Sequence, residues 1–190
     1  MLRSLKFIIL AASVASLLAG CLAPRGDSPE AKRAAIQQMK ADTLSYLYKE
    51  RPTAKDVVDK SAGYAVFSNI NALYLFAGGG AGYGVAVDRK DNRETYMKMA
   101  QISLGLGLGG QDIRVVFVFH SQRALDNFIL NGWEFGGQAD AAAKASEKGG
   151  AFTGEVSIDA ETTMYTLTQT GLLAKVNLAG TKYWRDDALN

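Results

Sequence analysis

Apolar positions change their period at Gly63, and that change divides the chain into a helical first part and a strand-rich remainder. Before it, Ser28-Pro29 reads as an N-cap followed by proline at the first helical position, which predicts a helix from about Pro29 to Lys49. Along that helix Ile36, Met39, Thr43 and Leu47 fall on one stripe, flanked by Leu44 and Tyr46, while Gln38, Asp42, Ser45 and Lys49 lie opposite. One face is therefore made for packing. "TAKD" at 53–56 reads as a variant capping box opening a second short helix through Val57 and Val58.

After Gly63 the pattern alternates. "GYAVFSNI" predicts one short strand and "LYLFAGGGAGYGVAVD" a second, closed by the polar turn "DRKDNRE". In the second, Tyr74, Phe76, Gly78, Gly80, Gly82, Gly84 and Ala86 share one face. The following strand, "TYMKMAQISLGLGLGG", puts Ile102, Leu104, Leu106 and Leu108 on one face and Ser103, Gly105, Gly107 and Gly109 on the other. Two adjoining strands thus carry a glycine stripe. Each interior glycine costs roughly 0.5–1 kcal/mol against alanine, so the stripes imply that something approaches the backbone closely. A helix of the same chain, coiling of the sheet on itself, or an apolar ligand under Gly78, Gly80, Gly105 and Gly107 would each meet that description.

"IRVVFVFH" at 113–120 predicts a buried strand. Ser121 follows as the N-cap of a helix with Leu125, Phe128 and Ile129 on its buried side, ended by Asn131-Gly132. The segment 132–150 reads as a connection containing an alanine-rich turn or short helix. "AFTGEVSID", "TMYTLTQ" and "LLAKVNLAG" supply three further strands, the last two joined at "QTG".

The first 20 residues change the picture of where the chain works. Arg3 and Lys6 form a positive n-region, Phe7 to Leu18 an apolar h-region, and Ala19-Gly20 the small residues of a cleavage site. The apolar core of about 12 residues is too short for a bilayer, which takes roughly 20. Leu18-Ala19-Gly20-Cys21 resembles a bacterial lipobox, in which the cysteine becomes the acylated first residue. Cys21 is the only cysteine, so no intramolecular disulfide can form. Three acyl chains would anchor the chain firmly, at about 0.8 kcal/mol per buried CH₂. Leu22 after the cysteine resembles the outer-membrane sorting pattern of Gram-negative lipoproteins, placing the protein in the bacterial envelope and facing the periplasm. The expected organisation is a signal peptide at 1–20, a lipidated tether at 21–28 and one domain at 29–190.

Charge gives no global field. The chain has 21 Lys+Arg and 19 Asp+Glu, and losing Arg3 and Lys6 with the signal peptide leaves 19 of each. Nucleic acid is not an expected partner. The local charge is more suggestive: Lys32, Arg33, Lys40, Lys49, Arg51, Lys55 and Lys60 crowd the region nearest the anchor, interleaved with Glu30, Asp42, Glu50, Asp56 and Asp59. This is either an anionic-lipid surface or an ordinary solvated face.

Catalytic chemistry finds no home. The single histidine, His120, ends a buried strand with no companion histidine or free thiol, so no metal site is expected. "GGGAGYG" fails as a phosphate loop because its glycines keep period 2 and run on into "VAV" without Lys-Ser/Thr or a helix start. The Gly-x-Ser-x-Gly serine motif is absent. No enzymatic activity and no cofactor are expected.

"SAGYAVFSNI", "GGGAGYGVAV", "SLGLGLGGQDIRVVFVFHSQRALDNFILNG", "FGGQADAAA" and "YTLTQTGLLAKVNLAGTKYW" together resemble the SYLF domain, over roughly residues 30–184. The resemblance implies a lipid-binding module rather than an enzyme, with the N-terminal amphipathic helix in membrane contact. It carries Lys32, Arg33, Lys40, Lys49 and Arg51 forward as candidate lipid-binding residues. The expected fold is α+β, with N-terminal helices on a glycine-rich, mainly antiparallel sheet curled into a sandwich or partial barrel. The expected function is that of an anchored envelope lipoprotein whose domain binds phospholipid headgroups. The alternative is an interaction lipoprotein that docks an envelope protein partner without binding free lipid. Trp133, Phe135, Tyr183 and Trp184 are candidate interfacial aromatics, about two of them expected in the core.

Overall fold

The computed structural model describes residue 24 and residues 26–135, 155–168, 171–172 and 180–190; for the strand residues 70–78, 102–112, 135, 155–156 and 171–172 it describes the backbone alone. The signal peptide, Cys21, most of the alanine-rich connection and most of "LLAKVNLAG" lie outside the described residues.

Helix α1 spans Pro29–Glu50 and begins as its cap dictates: the Ser28 hydroxyl accepts from the Ala31 N–H at 3.2 Å, with Pro29 in the first turn. Its buried residues are Ile36, Met39, Thr43 and Leu47, the expected stripe. Helix α2 spans Pro52–Lys60. It starts earlier than the "TAKD" reading has it, because Pro52 opens the first turn; Arg51 holds the cap position and no side chain caps the helix. Helix α3, Gln122–Asn131, is capped by Ser121, whose hydroxyl accepts from Ala124 N–H at 3.2 Å, and it buries Leu125, Phe128 and Ile129. Among the described residues no helix is long and apolar enough to cross a membrane.

The sheet corrects the expected strand count. The four expected strands between Gly63 and His120 are two: β1, Gly63–Asp88, and β2, Arg93–Phe119, form one long antiparallel ribbon. The polar interruptions read as strand ends pair with each other instead, Asn71 opposite Gln111 and Ile70 opposite Asp112. Short strands complete the sheet: β3 (Trp133–Phe135), β4 (Glu155–Asp159), β5 (Thr162–Thr168), β6 (Gly171–Leu172) and β7 (Thr181–Arg185). The described order is β3-β7-β2-β5-β4, with β1 on β2 and β6 on β5, every pair antiparallel. Neither β3 nor β7 was expected from the sequence. The fold is α+β, as expected.

A straight strand of β1's length would hold its ends roughly 80 Å apart at ~3.3 Å per residue. Here the ends meet: Arg89 N–H donates to Ala62 O at 3.0 Å. The ribbon therefore curls over on itself. Part of the bend comes from a bulge between Leu75 and Ala77, where the register gives β2 one extra residue. The other part is the close approach the glycines permit. A Cβ on Gly84 would overlap the Val66 carbonyl oxygen and the Phe67 ring, and one on Gly82 would overlap the Ser68 carbonyl oxygen and lie 2.8 Å from Met99 Cγ. Both glycines are buried.

Side chains alternate between two cores. Phe67, Phe117, Phe119 and Met164 point to one, joined by Met97 and Met99 from the far part of the ribbon, by Tyr183 of β7 and by Leu125, Phe128 and Ile129 of α3. Val66, Val116, Val118, Tyr165 and Leu167 point to the other, closed by Ile36, Met39, Leu47, Ala54 and Val58 from α1 and α2. Every described hydrogen bond, ion pair and core contact is made from Ser28 onward, so residues 27–190 carry the whole described packing.

Candidate functional site

The five candidate lipid-binding residues do not form one patch. Lys40 is turned inward: its ammonium donates to Glu94 Oε1 at 2.6 Å, and Gln37 Nε2 donates to the other oxygen of Glu94 at 2.6 Å and to the Tyr96 hydroxyl at 2.9 Å. This polar knot ties α1 to the start of β2. Arg33 ties α1 to the C-terminal segment, its Nε donating to the Leu189 carbonyl at 2.8 Å. Leu189 is itself buried. Lys32 is half-buried, Lys49 is exposed in the last turn of α1, and Arg51 forms its C-cap. The exposed residues of α1 include Ala34, Gln38, Ala41 and Ser45, and the exposed charged ones are Glu30, Asp42, Lys49 and Glu50, three acids and one base.

Two acids of these helices, Glu30 and Asp59, are held ionised by local donors. Glu30 sits below the usual carboxylate range through a backbone hydrogen bond, then through Ser28. Asp59 is lowered by the Lys55 ammonium, 2.5 Å away. Burial pushes the Tyr48 hydroxyl up to about 12, so it stays protonated at neutral pH.

A cleft of 690 Å³ opens where the beginning of α1 meets the beginning of β2, the end of α3 and the end of β7. Three arginines line it, Arg33, Arg93 and Arg185, together with Leu130. Arg93 and Arg185 went unnoticed in the sequence, the first inside a polar turn and the second after "KYW". Only the pairing of Met97 with Arg185 brings β7 alongside β2 and so gathers them.

The remaining candidates are placed as follows. Gly82 and Gly84 are filled by the chain's own strand, while for Gly80 the structure shows only half-burial. The surroundings of Gly78, Gly105, Gly107 and Gly109 lie outside the described side chains; their backbones pair or flank the bulge in the β1–β2 ladder. Tyr183 is 1% exposed, and Trp133 packs edge-on against Phe117 at 5.6 Å and Phe128 at 5.1 Å, so both serve the core. Trp184 is exposed, and the Phe135 side chain lies outside the described ones. His120 Nε2 lies 2.9 Å from the Thr163 hydroxyl. Among the described residues no group of three His, Cys, Asp or Glu side chains is placed to hold a metal ion.

Comparison with known proteins places the chain beside a family and a relative. Residues 100–190 match the family described as Ysc84, Las17-binding protein actin regulator. The chain is also similar to "Beta cell expansion factor A" of Aeromonas veronii, 36% identical over 160 residues, covering 83% of this chain and 58% of that protein. The chain thus spans less than two thirds of the length of that relative.

Proposed function

The chain belongs to the SYLF (Ysc84) family, known for lipid binding or actin regulation, and we propose that it is an acyl-anchored envelope lipoprotein whose domain binds phospholipid. The observation that carries this reading is the short reach from Cys21 to the folded domain. Pro29, the first residue of α1, follows Cys21 by eight positions, a span of at most about 28 Å even when fully extended. A lipidated Cys21 keeps the domain against the headgroup layer, where even a weak headgroup site is saturated by local concentration. The domain acts as a binding module and not as an enzyme. It sits at the outer membrane and faces the periplasm.

Two measurements test the reading. Cys21→Ser in the full chain removes the acyl acceptor; the protein is expected to leave the membrane fraction, and retention there would defeat the anchor. Co-sedimentation of residues 27–190 with anionic vesicles tests the domain separately. Salt-sensitive binding supports headgroup recognition. Absence of binding favours the second reading, docking to an envelope protein, which the protein partner in the family's description motivates.

A further inference from the structure

We infer that the lipid-facing surface of the domain is the cleft at the first turns of α1, where Arg33, Arg93 and Arg185 receive the phosphate of an anionic lipid headgroup and Leu130 enters the acyl boundary. The inference rests on the phospholipid reading and gives it a place and a chemistry.

The charge of the cleft is available. Among the described residues Arg33, Arg93 and Arg185 have their carboxylate neighbours no nearer than 3.6 Å: Glu30 at 3.7 Å, Asp88 at 3.6 Å and Asp187 at 3.6 Å. The Glu30 and Asp187 pairs are long and solvent-facing and hold a guanidinium weakly; Asp88 is buried, and its oxygens already accept from Gln122 Nε2 at 2.8 Å and from the Lys90 N–H at 2.9 Å. The acids that line the same cleft are already engaged, Glu94 by Lys40 and Gln37, and Asp126 by Gln122 at 3.0 Å. Because Arg33 spends its Nε on the Leu189 carbonyl, its side chain is oriented while its terminal nitrogens keep donors. A planar guanidinium fork matches phosphate oxygens better than a point charge does.

Leu130 supplies the apolar element. It is 78% exposed in the last turn of α3, while its neighbour Ile129 is 8% exposed. A lone exposed leucine is ordinary on a soluble surface. At the rim of a cleft with three arginines it completes the pairing of cationic and apolar groups by which peripheral proteins hold an interface.

The tether decides which end of the domain meets the membrane. Arg33 lies about one turn into α1, close to where the chain from Cys21 enters, whereas Lys49 lies near its far end, roughly 30 Å along the axis at ~1.5 Å per residue. The anchor therefore keeps the cleft's end of α1 within about 28 Å of the bilayer, while Lys49 can lie up to about 30 Å farther along the helix.

Residues 27–190 are mixed with vesicles of phosphatidylcholine alone and of equal parts phosphatidylcholine and phosphatidylglycerol, at low and high salt. Arg93→Gln with Arg185→Gln is expected to weaken low-salt binding to the anionic vesicles roughly 30-fold, from about 1 kcal/mol per charge. Lysine at both positions restores most, but not all, of the binding, which separates loss of charge from loss of fold and leaves the part due to the guanidinium fork. Leu130→Ser weakens binding at both salt concentrations, and Lys49→Gln leaves it unchanged. If the double Gln variant binds like wild type while Lys32→Gln or Lys49→Gln weakens binding, the cleft is overturned and the phospholipid reading stands. If wild type binds neither vesicle, both fall. If inorganic phosphate raises the melting temperature through the same arginines while vesicles do not bind, the cleft takes a small free anion and the lipid assignment is overturned.

Discussion

Replacing Gly84 by alanine tests the reason for the glycine face. The added methyl would overlap the Val66 carbonyl oxygen and the Phe67 ring. Neither can withdraw cheaply: Val66 sits in the β1–β2 ladder opposite Val116, and Phe67 is wedged edge-on against Tyr183 at 4.8 Å and against Phe117 and Phe128, both at 6.1 Å. Overpacking of this kind costs about 3 kcal/mol, the upper part of the usual range, because backbone and a locked ring must move together. Against it stands the roughly 0.5–1 kcal/mol gained when a strand glycine becomes alanine. The net loss of about 2 kcal/mol lowers the melting temperature by about 4–8 °C for a domain of this size. Gly79→Ala is the matched control: Gly79 is exposed, and among the described residues its Cβ would approach the Gln101 carbonyl oxygen at 3.3 Å, so this variant changes the melting temperature far less than Gly84→Ala does. Thermal unfolding of residues 27–190 followed by circular dichroism reads both. Equal melting of Gly84→Ala and Gly79→Ala would refute the idea that the stripe exists to let β1 close on itself.

Two further outcomes follow from the polar contacts. Lys40→Gln is expected to destabilise the domain by about 1–2 kcal/mol in urea unfolding, since the Lys40–Glu94 pair lies between the exposed and buried limits, with side chains 16% and 31% exposed; Lys49→Gln stays within about 0.5 kcal/mol, and equal effects would show that the inward pairing is unimportant. Glu161 is held below its ordinary value of 4.5 by the Arg123 hydrogen bond first and by Ser121 second. A lowered carboxyl stabilises the fold above its unfolded-state pKa and loses that contribution as pH falls through its folded one. The melting-temperature advantage of wild type over Glu161→Gln is therefore full at pH 7 and vanishes in acid; an advantage that persists in acid would contradict it.

The elements set by short-range chemistry were legible in the sequence. Ser28-Pro29 and Ser121 each mark a helix start because the cap is a bond to an N–H three residues on. The apolar stripes of α1 and α3 name their buried residues for the same reason. Elements set by pairing were not. Asn69, Asn71, Gln111 and Asp112 carry the composition of turns, yet they sit in continuous strands opposite partners more than 30 positions away, and Asn69, though buried, donates its Nδ2 to Gln101 Oε1 at 2.9 Å. No local signal separates a polar turn from a polar rung of a ladder. β7 was hidden similarly, for its five residues become a strand only against Met97–Gln101.

The same distinction governs the candidate site. Counting charges along the first helices suggests a basic surface, because lysines and arginines near in sequence are treated as near in function. Folding sorts them by partner instead. Lys40 is consumed by Glu94, and Arg33 is fixed by a carbonyl from the other end of the chain. The surplus reappears where Arg33, Arg93 and Arg185, drawn from three distant segments, meet at one cleft. The proposed acyl anchor at Cys21 would favour that arrangement, because the chain from Cys21 enters at the same end of α1. A basic stripe along the whole helix would spend most of its charge out of reach of the headgroups, since the membrane's surface potential fades within about 8 Å, one Debye length at physiological salt.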